Sequence, residues 1–184
     1  MSRYASVLFG RLVCGSAFLG VVSLAACIGV TDKEPPSGQP SFYQSMASAN
    51  VNLDTSAAQS MISGYRRNNG LTAVALDPAL TRMAEEQARA MAARNKLDHN
   101  VGRSFDARLR SSGFDAKFAV ENIGAGYHTL AEAFSGWRDS PPHRANMLRS
   151  GATRMGIAAV YAPHSKYKVF WALVLAAPDD RKGS

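Results

Sequence analysis

Cysteine is nearly absent from the 184 residues: there are two, Cys14 and Cys27, and none after them. That excludes a disulfide framework for everything beyond residue 27, and with it a zinc site built on paired cysteines. Whatever folds there is held by packing and hydrogen bonds alone. Acidic residues are also scarce, 14 against 21 Lys and Arg, for a net charge of +7. The HExxH, Walker and GxSxG patterns are all missing, which removes the commonest metalloprotease, nucleotide-hydrolase and α/β-hydrolase readings. The "GAG" at residues 124–126 is too little for a nucleotide site. The chain has no internal repeat, and no Lys/Arg stripe stands out. Nucleic acid is therefore not an expected partner.

The apolar run from Leu12 to Ala26 is shorter than the about 20 residues that a membrane-spanning helix needs. Arg3 and Arg11 are the only charges in residues 1–26, and this pattern is that of a secretory signal peptide. It ends in Leu24-Ala25-Ala26-Cys27, which resembles the bacterial lipobox, where cleavage precedes a cysteine that then carries lipid. Cys27 is thus the expected lipidation site, and the membrane the expected partner. Ile28 stands where the aspartate associated with inner-membrane retention would be. The expected location is the cell envelope, at the outer membrane if the host has one. Removing residues 1–26 and their two arginines lowers the net charge from +7 to +5 and leaves 158 residues, enough for one domain with a real core. The basic balance suits an envelope surface rich in phosphate and carboxylate.

Residues 27–52 are dominated by Pro, Ser, Gly and small polar residues, and a flexible tether is expected there. Phe42, Tyr43 and Met46 are the residues in it that would pack on the domain instead. The domain is expected over 53–178, with a disordered tail over 179–184. Asp54 is an N-cap candidate, followed by a helical face of Ala57, Ala58, Met61, Ile62 and Tyr65. Asp77 and Pro78 open the clearest amphipathic helix, with Leu80, Met83, Ala84, Gln87, Ala88 and Met91 on one side and an end near Asn95. Ser104 to Gly113 predicts a shorter helix, and "FAVENIGAG" an extended stretch. Thr129 and Glu132 form a capping-box pattern, and the helix they open must end before Pro141. "MGIAAVYAP" and "YKVFWALVLAAP" predict a closing hairpin. Helices followed by extended segments give the fold class α+β. Trp137 and Trp171 are expected to be core.

Three polar side chains lie beside predicted buried elements: His99 at a helix end, Glu121 in "ENIGAG", and His143 in "SPPHRANML". Singly, each has a bland explanation as a cap or a solvated group. His128 and His164, in turn-like polar stretches, have only that explanation. Taken in order with "YRRNNGL", "LDPALTRMAEEQARAMAARNKLDHN", "GWRDSPPHRANML" and "RMGIAAVY", however, they make the chain from about Asp54 to Ala177 resemble a bacterial CAP domain. That superfamily includes cysteine-rich secretory proteins, antigen 5 and plant pathogenesis-related proteins.

The resemblance implies a CAP-type α-β-α sandwich, a central antiparallel sheet flanked by helices. It also implies a cleft where two histidines and two acids can hold a divalent metal, zinc being the natural ion for such ligands. By motif, His99 and His143 match the histidines and Glu121 the first acid. The second acid has no clear match; Asp139 and Ser140 are the nearest candidates. Asn122, Arg144 and Asn146 would support the ligands through hydrogen bonds. The two prolines before His143 would stop the preceding helix and stiffen the backbone that carries it. The function implied is a binding module of the envelope, with a cell-wall, lipid or protein ligand, rather than an enzyme. The alternatives are a hydrolase using Ser140 as nucleophile, His143 as base and Glu121 as orienting acid, or a purely structural envelope protein. Against the hydrolase, Ser140 has no nucleophile-elbow context and precedes two residues without N–H donors.

Overall fold

The computed structural model describes residues 38–179. The expected signal peptide, Cys27, the first part of the tether and residues 180–184 lie outside the described residues.

Strand β4 (Val169–Pro178) lies between β3 (Arg154–Tyr161) and β2 (Ala116–Ala125), antiparallel to both. A two-residue strand, β1 (Ala75–Leu76), pairs in parallel with the outer side of β3 and completes the order β1-β3-β4-β2. The central position explains the composition of β4. Covered on both faces, it is apolar throughout instead of alternating. Val169, Trp171, Leu173 and Leu175 face one core, and Phe170, Ala172, Val174 and Ala176 face the other.

The first core is closed by α1 (Thr55–Asn68), α4 (Leu130–Asp139) and α5 (Pro141–Met147), through Ala58, Ile62, Ala133, Trp137 and Met147 among others. The second is closed by α2 (Pro78–Arg94) and α3 (Phe105–Ser111). The result is the α-β-α sandwich expected. The predicted caps form as well. Asp54 accepts from Ala57 N at 2.9 Å, Asp77 from Ala79 and Leu80 N, and Thr129 with Glu132 makes a complete capping box. All six residues named for the buried face of α2 are buried, as are Trp137 and Trp171.

Two local expectations need revision. Residues 40–52 are part of the domain rather than the end of a tether. Pro40 to Gln44 makes a 3-10 turn, Met46 is buried with its N–H donating to His128 O at 2.7 Å, and Phe42, Ala47 and Val51 pack on the first core. A few apolar side chains in a polar stretch suffice to dock it. The two prolines before His143 do more than stop α4. Pro141 and Pro142 occupy the first turn of α5, where a missing N–H has no helical partner to lose, so His143 stands on a helix and not in a loop.

Arg66 is buried without an acidic partner among the described residues. Its guanidinium donates to four carbonyls: Thr72 O (2.9 Å), Met147 O (2.8 Å), Arg149 O (3.0 Å) and Ala152 O (2.9 Å). One side chain of α1 thereby ties down the end of α5 and the approach to β3.

Helix α2 lies unusually close to the sheet because β3 has a glycine beneath it. A Cβ on Gly156 would come within 2.1 Å of the Leu80 carbonyl carbon and 2.2 Å of Thr81 N, both backbone atoms that cannot swing aside. Gly156→Ala is therefore expected to destabilise the domain by at least about 1–3 kcal/mol, the range for forced overpacking. Urea unfolding of the variant beside the parent checks this, and equal midpoints would show that α2 is free to lift.

Candidate functional site

Glu121 is the most constrained group of the cleft. It faces α2 and α3 from the middle of β2, its carboxylate 2% exposed. A charge so buried needs partners. Arg108, on the inner face of α3, supplies a two-pronged ion pair, Nη1 to Oε2 at 2.7 Å and Nη2 to Oε1 at 3.0 Å. Arg108 is itself 1% exposed. Its Nη2 also donates to His99 O at 3.0 Å, while Nε is buried with no partner among the described residues.

His99 completes the arrangement. Its Nδ1 lies 2.9 Å from Glu121 Oε1, and about half of its side chain is exposed. An ionised carboxylate only accepts, so Nδ1 carries the proton, and whenever the ring is neutral it is Nε2 that keeps a free lone pair. The loop that carries His99 is held from beneath. Gln87, buried on α2, donates to Asp98 O at 2.7 Å, and Asp98 accepts from Asn100 N and Lys96 Nζ.

His143 reaches the same cleft from α5. Asn122, buried on β2, donates to His143 O at 2.9 Å, and Asn146 Nδ2 donates both to Asn122 Oδ1 (2.9 Å) and to Glu121 O (3.1 Å). The pKa of His143 is lowered from its ordinary value, first by burial and then by the charge of His99 nearby. Two of the three expected supporting residues, Asn122 and Asn146, thus hold this side of the cleft. Arg144 is exposed and makes no side-chain hydrogen bond among the described residues.

Neither candidate for the second acid joins the group. Asp139 is exposed and paired with its neighbour Arg138 at 2.8 and 3.1 Å. Ser140 is the N-cap of α5 but its hydroxyl makes no cap bond, nor any bond to His143 among the described residues. His128 and His164 sit elsewhere, His128 contributing its backbone N–H to Glu132 and His164 lying in the β3–β4 turn.

The donor set does not fit a three-ligand metal site. Both oxygens of Glu121 are engaged by Arg108 and His99, which leaves two imidazoles, and a zinc site with an open position uses three protein ligands. Among the described residues no group of three His, Cys, Asp or Glu side chains is placed to hold a metal ion.

Sequence reasoning missed Arg108. The signal was there. Phe105, Arg108 and Leu109 share one face of α3 at helical spacing, and an arginine among apolar residues on a buried face needs an acid opposite.

The description "Cysteine-rich secretory protein family", CAP, belongs to the family model that matches residues 59–175. The uncharacterized protein YkwD of Bacillus subtilis (strain 168) is 28% identical over 144 residues, which are 71% of this chain and 56% of that protein. The chain therefore spans little more than half the length of that relative. Among solved structures, an outer surface protein from Borrelia burgdorferi superposes with a TM-score of 0.62 at 16% identity, covering 68% of this chain and 93% of its own. An extracellular protein containing a SCP domain from Bacillus anthracis str. Ames gives 0.59 at 22% identity, over 66% of this chain and 39% of its own. A cysteine-rich secretory protein from Staphylococcus aureus subsp. aureus Mu50 gives 0.58 at 15%, over 70% and 40%. At these identities the structures speak to the fold, and they agree on it.

Two outcomes follow from the cleft's electrostatics. Arg108→Leu strands a buried carboxylate and is expected to cost about 3–5 kcal/mol, while Arg108→Leu with Glu121→Leu should recover much of it, since an apolar pair needs no solvation; urea unfolding of the single and double variants measures both. For His143, the unfolded chain takes up a proton at its ordinary pKa of about 6.5, before the folded protein does. The contribution of His143 to stability is therefore fully present above that pH and is lost as pH falls towards the depressed folded value. A proton NMR titration should place its midpoint below the ordinary value, and His99→Gln should raise it.

Proposed function

The chain belongs to the CAP, or cysteine-rich secretory protein, family, and from that premise we propose that it is an extracytoplasmic binding protein anchored to the cell envelope by lipid on Cys27. Its expected ligand is a cell-wall, lipid or protein group held at the His99–His143 cleft. The observation that carries the reading of a binding site over an enzyme is the state of the polar groups. Glu121 is engaged on both oxygens, and among the described residues Ser140 has no hydrogen bond to a base. A nucleophile needs a positioned base and donors for the developing oxyanion. Here the residue after Ser140 is a proline without an N–H. What the cleft does offer is a rigid wall bearing the Nε2 lone pair of His99 and the neutral ring of His143, with the exposed Arg144 beside it on α5.

Anchoring rests on the lipobox-like Leu24–Cys27 and on the length and charge of the run before it. An extracytoplasmic place agrees with the names of two structural neighbours. The Bacillus anthracis protein is called extracellular and the Borrelia protein an outer surface protein. Among the described residues no helix is long and apolar enough to cross a membrane.

Cys27→Ala is expected to leave an uncleaved precursor or release a soluble form, because two or more acyl chains are what make such attachment stable. Detergent phase partitioning of the variant and parent tests this, and equal partitioning of both after signal removal would end the lipid-anchor reading. A serine-reactive fluorophosphonate probe tests the other half: labelling of Ser140 would restore the hydrolase.

A further inference from the structure

We infer that Arg108, and not a bound metal ion, is the resident cation of this cleft: the guanidinium neutralises Glu121 from inside the fold, and the site takes up no divalent ion. The inference is independent of what ligand the cleft binds.

Arg108 meets Glu121 edge to edge, with one nitrogen on each carboxylate oxygen at 2.7 and 3.0 Å, the fork arrangement in which guanidinium and carboxylate match best. Both partners are almost fully buried. Oε1 is shared with His99 Nδ1 at 2.9 Å. Glu121 therefore accepts three charge-assisted bonds, and none of its oxygens is directed at open solvent.

A metal ion recruiting Glu121 would have to displace at least one of these donors. Arg108 has nowhere to go. It is on the inner face of a seven-residue helix, beneath Phe105, whose ring lies 5.5 Å from the guanidinium carbon. Among the described residues its only other hydrogen-bond partner is the carbonyl of His99. A dication beside it would place like charges together against a buried ion pair, with a single carboxylate to balance three positive charges. Asp139 pairs with Arg138 on the surface and Asp98 with Lys96, so neither adds a free carboxylate to the group. What remains for a metal is His99 Nε2 and the ring of His143, two neutral donors without a carboxylate. Divalent ions at such a site bind weakly and compete poorly with water.

The arginine also does structurally what a metal does in a small cleft. It gathers the α3 helix, the His99 loop and strand β2 at one point. A chain without cysteines after residue 27 has that crosslink built into its sequence.

The test uses the full mature protein in detergent, titrated calorimetrically with zinc chloride at neutral pH, together with elemental analysis of protein purified from zinc-supplemented cells. The expected result is no stoichiometric zinc in the purified protein, no binding tighter than about 100 μM on the usual affinity scale, and a melting temperature unmoved by EDTA. Arg108→Met frees the carboxylate and should bring zinc affinity up by at least about tenfold, with loss of that gain in Arg108→Met/His99→Ala. Binding of one zinc by the parent at low micromolar Kd, abolished by His99→Ala or His143→Ala, would overturn the inference. So would a folded Arg108→Met that takes no more zinc than the parent. If Arg108→Met fails to fold by circular dichroism, the parent titration and the EDTA melt decide alone.

Discussion

A carboxylate in the middle of a buried strand face constrains everything around it. Glu121 sits among Ile123, Ala119 and the apolar side of α2 and α3, where an unpaired charge is not tolerated. Its need for partners fixes Arg108 on the facing helix, and the third bond of Arg108, to His99 O, fixes the loop between α2 and α3. The same carboxylate decides which nitrogen of His99 holds the proton and therefore which one faces the cleft. The orientation of the exposed imidazole is thus a consequence of a desolvated charge beneath it.

The opposite face of the sheet is organised by the other buried arginine, under a different rule. Arg66 has no acid paired with it among the described residues. Four backbone carbonyls replace one, two of them, from Met147 and Arg149, at the C-terminal end of α5, where unpaired carbonyls concentrate negative potential. Burial pushes the Arg66 pKa down, but an arginine starts so high that it stays charged at any pH the fold survives. Two guanidiniums, one on each face, thereby provide long-range crosslinks in a domain that has no disulfide: Arg66 joins residues more than 80 positions apart in sequence.

How much of this is legible in the sequence depends on the range of the interaction. Caps, the faces of α1 and α2 and the closing hairpin follow from patterns within a few residues, and all of them form where the pattern lies. The motifs that resemble the CAP family singled out His99, Glu121 and His143; the Glu121 carboxylate bonds His99, and its main-chain carbonyl is tied through Asn146 to α5, which carries His143. What the sequence did not display was the state of Glu121. A ligand and a neutralised structural anion have the same letter, and the difference lies in Arg108, thirteen residues away and on another element. Helix α5 was hidden for a similar reason. Two prolines followed by a histidine look like a turn until the first-turn positions of a helix are recognised as the place where prolines do no harm.

The position of His143 also follows from the sheet order. β2 is an edge strand, with β4 on one side only, and an uncovered edge leaves carbonyls without partners. Two of those carbonyls, on Glu121 and Ile123, accept from side chains instead of a strand: Asn146 Nδ2 at 3.1 Å and Trp137 Nε1 at 3.0 Å. The donors come from α5 and α4. Covering the edge therefore draws these two helices against the strand that carries Glu121, and Asn122, between the two covered carbonyls, reaches out to His143 O. The histidine is carried to the cleft by the contacts that protect the edge. His99 is held by the Glu121 carboxylate on one face of β2, and the helix of His143 by that strand's open edge, so both histidines are placed by a single strand that buries a charge and, among the described residues, has a strand neighbour on one side only.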